Sequence, residues 1–240
     1  MKILVINGSP HGETGNTQVL VKEFLEGAKE AGAGIEIVYL KDKKIEHCVG
    51  CMDCMLKTPG VCRHQDDMPD LMLRLREADL LVYATPLYIF SVPGLMKDFM
   101  DRQFPMAQPF IDIKDGICTH PLRYPSTKSK AVVLISTCGF PDTEHFSGLK
   151  ETWRTLFRSG RREMAGMICC AGGSMLQRAE ARNAIQWYLD AARKAGREVV
   201  EMGCIADGTQ TLLDRPLISN KEMFVKHVNA YFEKMGLTRI

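Results

Sequence analysis

The chain has 240 residues, of which 45% are hydrophobic and 25% charged, with a formal net charge of +2 and a pI near 8.0. That balance gives no reason to invoke nucleic acid or an anionic membrane surface, which select strongly basic faces. No apolar run reaches the roughly 18 residues needed to cross a bilayer, and Met1-Lys2 leads straight into a strand pattern rather than a signal peptide, so a cytoplasmic protein acting on a small partner is expected.

The run Ile3 to Ile6 is short, β-branched and unalternating, as suits a strand buried on both faces of a parallel sheet, and it is expected to be the central strand. Behind it Gly8, Ser9, Pro10, His11, Gly12, Thr14, Gly15, Asn16 and Thr17 form a glycine- and hydroxyl-rich loop, and a helical pattern then runs to about Ala31. Glycines admit a close ligand and the free N–H groups of a helix start attract an anion, so the loop reads as a phosphate seat. It lacks the lysine of a nucleoside triphosphate loop and the G-x-G-x-x-G spacing of a dinucleotide loop. Backbone and hydroxyl donors suit one terminal phosphate; the bland alternative is an ordinary strand-to-helix turn. A second strand at Ile35 to Leu40 completes a βαβ unit and makes the sheet parallel.

Next comes Cys48-x2-Cys51-x2-Cys54-x7-Cys62. Three cysteines within seven residues suit a cubane iron–sulfur cluster, whose iron corners lie within reach of one tight loop. A ferredoxin run has x3 before its fourth cysteine and proline after it, where this chain has x7 and Arg63. Zinc, which draws two separated ligand pairs, and free thiols are the competing readings. The remaining cysteines are scattered and read mostly as buried small hydrophobes.

Asp66 and Asp67 precede an amphipathic stretch, Met68 to Arg76, and read as first-turn caps rather than ligands. A third strand, Ala78 to Ala84, ends in Thr85-Pro86-Leu87-Tyr88-Ile89-Phe90, an apolar and aromatic surface at the carboxyl end of a strand, where open α/β sheets bind ligands. A helix at Leu95 to Gln103 follows. Residues 104 to 130 hold four of the eleven prolines and show no period. A fourth strand at Ala131 to Ser136 runs into Thr137-Cys138-Gly139-Phe140, a third ligand-side loop. The pattern closes with a helix from about Thr143 to Arg158, a fifth strand at Met164 to Cys170, a helix at Arg178 to Ala195 and another near Lys221 to Lys234. Five β/α repeats imply a doubly wound five-stranded parallel sheet with helices on both faces, one domain over 1–240, with a cysteine-rich excursion at 41–66 and an irregular insertion at 104–130. His11 is placed to face the phosphate; His47, His64, His120, His145 and His227 read as surface or capping residues. Arg161 and Arg162 are candidates for a 2′-phosphate or a solvated helix end.

With these residues assembled, the chain resembles the NAD(P)H-dependent FMN reductases of the flavodoxin-like superfamily, and within them the iron–sulfur flavoproteins. Gly8-Ser9-Pro10-x4-Gly15-Asn16-Thr17 looks like the FMN phosphate loop, Thr85-Pro86-Leu87-Tyr88 the isoalloxazine loop and Thr137-Cys138-Gly139-Phe140 the third flavin contact. The likeness covers about residues 1 to 200, and the compact cysteines before Asp66-Asp67-Met68 match the iron–sulfur branch. His11 stands where the family often has arginine, and Cys62 is at the long end of the branch's spacing.

The resemblance implies an FMN oxidoreductase in which NAD(P)H stacks on the flavin and delivers hydride, with no side chain needed as acid or base. It implies that Ser9, His11, Gly15, Asn16 and Thr17 hold the phosphate, that Pro86, Leu87, Tyr88, Ile89 and Phe90 shape the ring site, and that Thr137 and Gly139 supply backbone donors. Cys48, Cys51, Cys54 and Cys62 would carry a 4Fe–4S cluster. Electrons would then leave singly to a ferredoxin-like partner; without a cluster a small-molecule acceptor such as a quinone or free flavin is expected. A homodimer or homotetramer is implied. The alternatives are a non-enzymatic flavodoxin-like carrier, or an FMN domain whose cysteine loop is a zinc staple or thiol redox sensor.

Overall fold

The structure, a computed structural model, describes residues 1–124, 131–158 and 162–238. Ile3, Leu4, Val5 and Ile6 are all buried because β1 (Lys2–Asn7) has a hydrogen-bonded neighbour along each edge and helices against each face. β2 (Gly34–Tyr39) pairs parallel with β1 from Lys2 opposite Gly34 to Asn7 opposite Tyr39. On the other edge lie β3 (Leu80–Pro86), then β6 (Ala131–Cys138) and β7 (Glu163–Ala171), giving the order β2-β1-β3-β6-β7, parallel throughout. A separate two-stranded hairpin, β4 (Asp112–Lys114) and β5 (Ile117–Thr119), lies within the proline-rich segment.

The central strand is therefore β3, not β1. After β1 the chain steps outward to β2 and then returns across it, and this reversal leaves a crevice above the carboxyl ends of β1 and β3.

Successive strand residues face opposite sides, so each strand feeds two cores. Ile3, Val5, Leu80 and Val82 pack under α1 (Asn16–Glu30) and α6 (Arg182–Met202). Leu4, Ile6, Leu81 and Tyr83 pack under α3 (Met68–Glu77), α4 (Gly94–Asp101) and α5 (Ser147–Arg158). Two short helices, α2 (Asp53–Leu56) and α7 (Asp207–Leu213), and the terminal α8 (Lys221–Lys234) complete the described chain. α1 and α6 touch backbone to backbone at Gly27 and Gly196: a Cβ on Gly27 would lie 1.7 Å from the Arg193 carbonyl oxygen, and one on Gly196 1.8 Å from that of Phe24.

Most expected elements are found within a few residues of their sequence positions. α6 starts at Arg182 rather than 178 because Ala179–Ala181 form a 3-10 turn first. The strands of the β4/β5 hairpin are three residues each, too short to carry a readable period. No helix among the described residues is long and apolar enough to cross a membrane.

Candidate functional site

The three ligand-side loops meet at the carboxyl edge of the sheet. The first leaves β1 through a buried polar knot in which Asn7 Nδ2 donates to Gln18 Oε1 at 2.9 Å and the Ser9 N–H donates to Asn7 Oδ1 at 2.9 Å. The His11 N–H donates to Ser9 Oγ at 3.3 Å. α1 then begins after Gly15 with no side-chain cap; the Gln18 N–H donates to the Gly15 carbonyl at 3.0 Å, which leaves those of Asn16 and Thr17 for a ligand or water. His11 is exposed at the rim and Asn16 half-buried, whereas Thr17 is buried with its hydroxyl 2.7 Å from that of Thr137. One hydroxyl of that pair donates to the other, which leaves one hydroxyl hydrogen to spend on a further acceptor.

The second and third loops are bound together by backbone. The Leu87 N–H donates to the Thr137 carbonyl at 2.8 Å, and the Gly172 N–H donates to that of Phe140 at 2.7 Å. Tyr88 and Ser91 exchange two backbone hydrogen bonds around Ile89 and Phe90, whose φ angles are +46° and +60°. This places two bulky residues, one of them β-branched, in the left-handed region at a tight turn, a conformation that costs about 1–3 kcal/mol per residue. Ile89 is 92% exposed. Phe90 and Phe140 flank the His145 ring at 5.3 and 5.1 Å between centroids.

These two loops open onto a cavity of about 1240 Å³. Leu87, Ile89, Phe90 and Gly139 line it, as do Cys138 and Phe140. The opposite wall was not foreseen: Ser174, Met175 and Arg178 after β7, and one stripe of α8 comprising Met223, Phe224, His227, Val228, Tyr231 and Phe232. Their spacing along α8 is a helical stripe visible in the sequence, but nothing local says where such a stripe will be placed. His145 and His227 are thus cavity residues, the latter with Nδ1 2.9 Å from the Met223 carbonyl. The phosphate-seat residues do not line the cavity; the Thr17–Thr137 contact and a hydrogen bond from Gln177 Nε2 to the Thr14 carbonyl at 2.5 Å join the two regions.

The four motif cysteines come together elsewhere, around a small pocket of about 60 Å³ that His64, Arg63 and Phe104 also line. Two left-handed residues, Gly50 (φ +64°) and Met52 (φ +59°), turn the chain between successive cysteines. Burial pushes the Cys54 thiol up, and so do its neighbours Cys62, Cys51 and Cys48. Among the described residues no three His, Cys, Asp or Glu side chains converge on a single-ion geometry. His64 Nε2 is buried at this pocket with no hydrogen-bond partner.

Asp66 differs from its expected role. Oδ1 does accept the Met68 N–H at 3.2 Å, but both oxygens also take the Arg102 guanidinium, while Asp67 accepts from the Lys44 N–H instead of capping α3. Arg162 lies at the amino end of β7, within hydrogen-bonding reach of Tyr83 and at the sheet edge opposite the ligand loops, so it does not serve a nucleotide there. Arg161 lies outside the described residues. Of the scattered cysteines, Cys138, Cys169 and Cys170 are buried, with Cys169 pushed up to about 12 by burial, while Cys118 and Cys204 are exposed.

The family model for NADPH-dependent FMN reductase matches residues 1–146. An iron-sulfur flavoprotein of Methanocaldococcus jannaschii is 38% identical over 110 residues, covering 46% of this chain and 55% of the relative, and one of Archaeoglobus fulgidus is 39% identical over 102 residues, 42% and 48% of the two chains. The chain thus spans about half the length of these curated relatives. The solved NAD(P)H:quinone oxidoreductase of Methanothermobacter marburgensis superposes with a TM-score of 0.61 at 18% identity, over 83% of this chain and 96% of that one, a likeness of fold. With a family match over more than half its length and a five-stranded sheet of the same kind, this chain belongs to the NADPH-dependent FMN reductase family.

Proposed function

We propose that the protein is an FMN-dependent oxidoreductase that draws electrons from NAD(P)H and carries a second redox centre on Cys48, Cys51, Cys54 and Cys62. The observation that carries the first half is the meeting of the β1, β3 and β6 loops at one sheet edge, with an uncapped helix start beside an aromatic cavity. The donor set fits a single phosphate: the first turn of α1, the Ser9 hydroxyl and the rim residues His11 and Asn16, with Gly15 and Thr17 holding the loop against the sheet. Leu87, Ile89, Phe90 and Gly139 offer a ring-sized apolar wall, which Pro86, Tyr88 and Thr137 shape from behind. Bound FMN would supply the hydride chemistry and the conversion of an electron pair into single electrons. The side chains orient and exclude water; none is required to move a proton.

The cavity exceeds the roughly 300–1,000 Å³ of ordinary small-molecule sites and is lined by aromatic residues without a carboxylate. This favours a flat aromatic small-molecule acceptor or the nicotinamide itself at that face, with a ferredoxin-like carrier reserved for the cysteine centre. The four cysteines line one small pocket. We read it as the seat of a polynuclear 4Fe–4S cluster, in which each thiolate takes its own iron, because the compact spacing lacks the two separated ligand pairs usual for structural zinc. We read residues 1–240 as one flavodoxin-like domain, with excursion 41–66 and insertion 104–130, that forms a homodimer or homotetramer. α8 supports an oligomer of either size, since it has no buried residue despite its apolar stripe.

The test is purification without oxygen, followed by the visible spectrum, iron, zinc and acid-labile sulfide on one sample, and NAD(P)H oxidation with a quinone. Flavin bands over broad brown absorbance, with about four irons and four sulfides per chain, are expected. A colourless protein that takes up no added FMN would overturn the flavin assignment; flavin without iron would overturn the cluster alone.

A further inference from the structure

Resting on the reading of the four cysteines as a metal–thiolate centre, we propose that Arg102 is its positioning residue, stapling the two ends of the cysteine loop and giving the Cys62 sulfur a buried N–H donor that makes the centre easier to reduce.

Arg102 sits just after α4, 36 residues beyond Asp66, with its side chain 1% exposed and that of Asp66 fully buried. The pair is bidentate: Nη1 to Oδ2 at 2.6 Å and Nη2 to Oδ1 at 3.0 Å. Nη1 also donates to the Glu46 carbonyl at 2.7 Å, and the Glu46 N–H donates to Asp66 Oδ2 at 3.0 Å. Glu46 stands two residues before Cys48 and Asp66 four residues after Cys62. One guanidinium thus closes the loop that carries all four sulfurs.

A guanidinium has five N–H groups. Three are spent on Asp66 and Glu46, which leaves two. Nε is buried and donates to no acceptor, Cys62 Sγ included, although Cys62 stands close enough to the guanidinium to interact with it. Leaving a buried N–H unmet is unfavourable, a cost that a thiolate or sulfide sulfur would remove. His64 Nε2 is likewise buried and unmet, at the wall of the cysteine pocket. Each is a buried polar nitrogen left unpaired beside the cysteine loop.

Reduction adds one electron to the centre and makes or breaks no bond. N–H donors to the sulfurs stabilise the more negative state more, so they raise the potential. Asp66 offsets the charge of Arg102, and the effect belongs to the hydrogen bond rather than to net charge.

The decisive variant is Arg102→Lys, which keeps a cation for Asp66 but has no planar fork and no Nε–H. A second, Asp66→Asn with Arg102→Gln, replaces the ion pair by a neutral one in case the first does not fold. Iron, sulfide and FMN content are measured with redox titrations of both centres. The expected result is unchanged FMN content and flavin potential, with the cluster potential lowered by about 59 mV, a tenfold change in its oxidised-to-reduced ratio; folded variants that keep FMN but lose iron would equally support the staple. Full iron at the wild-type potential in a folded variant overturns the proposal. Wild-type protein without iron overturns the underlying centre instead, so the two failures are distinct. A readout independent of variants at Arg102 is pulsed EPR of the reduced centre in 15N-arginine-labelled protein carrying Arg63→Lys, which removes the arginine that lines the pocket. A coupling to an arginine nitrogen is expected, and its absence overturns the donor.

Discussion

The aromatic cavity and the cysteine pocket are held in opposite ways. The cavity's loops are extensions of β3 and β6, tied to each other through main-chain hydrogen bonds such as that from Leu87 to Thr137, so their placement follows from the sheet and survives most side-chain changes. The cysteine loop has only the four-residue α2 as regular structure between Cys48 and Cys62. Its ends are joined by one backbone hydrogen bond, from the Asp67 N–H to the Lys44 carbonyl at 3.1 Å, and otherwise by side chains, with the charged pair Arg102–Asp66 standing where the cavity has a backbone ladder. A site at a topological switch point comes with the fold; a cysteine loop set between two elements brings its own clamp.

The sharpest way to break that contrast is Asp66→Ala. It strands a buried guanidinium, and losing one partner of a buried pair typically costs about 3–5 kcal/mol. Chemical denaturation should show a loss of that size, with thiol labelling of Cys48, Cys54 and Cys62 rising, while the folded fraction still binds FMN. An equal loss of FMN affinity in the folded protein would show that the two regions are not independently held.

Protonation is a gentler way to open the same clamp. Burial raises the Asp66 carboxyl, but Arg102 and the N–H groups of Glu46 and Met68 outweigh it and hold the group below the ordinary value of 3.8. A depressed carboxylate contributes stability that is complete above its unfolded value and lost as pH falls through its folded one. Stability should therefore be flat with respect to Asp66 above about pH 5 and fall below pH 4, and the Asp66→Asn variant should show a shallower acid limb than wild type.

On the cavity side, Thr137→Val leaves the buried Thr17 hydroxyl without its partner 2.7 Å away, at an expected cost of about 1–3 kcal/mol. FMN affinity should weaken as well, because the loop after β1 and the loop after β6 meet through that contact. A fluorescence titration of FMN release reads the second effect, and stability lost without any change in affinity would place this hydroxyl pair outside the cofactor's reach.

How much of this was legible follows the same division. The β-branched runs at Ile3, Leu80 and Val132 mark strands in any context, and loops at their carboxyl ends follow from a parallel sheet. Which strand is central did not follow, because that depends on the direction of the crossover after β2. The cysteine spacing announced a pocket, while its clamp stayed hidden: Glu46, Asp66 and Arg102 are 20 and 36 residues apart, and an aspartate before a helix looks locally like a cap. α8 was readable as a helix and unreadable as a cavity wall, since nothing in its own sequence says which loops its apolar stripe will face.

The smallest effect tests whether the cavity is as indifferent to side chains as its backbone ties suggest. Ile89 occupies the first central position of a two-residue turn that favours Asn-Gly, at φ +46° and 92% exposed, so it gains little from burial and bears the strain of a β-branched residue in the left-handed region. Ile89→Asn relieves part of that strain without the extra chain freedom a glycine would bring, and a gain of about 1 kcal/mol is expected, a rise of roughly 2–4 °C in Tm for a chain of this size. If Ile89 is held in this conformation to present an apolar edge to the ring or to a second subunit, the more stable variant should release FMN faster or dissociate at lower dilution. A variant that is more stable and otherwise unchanged would mean that the strained turn serves neither.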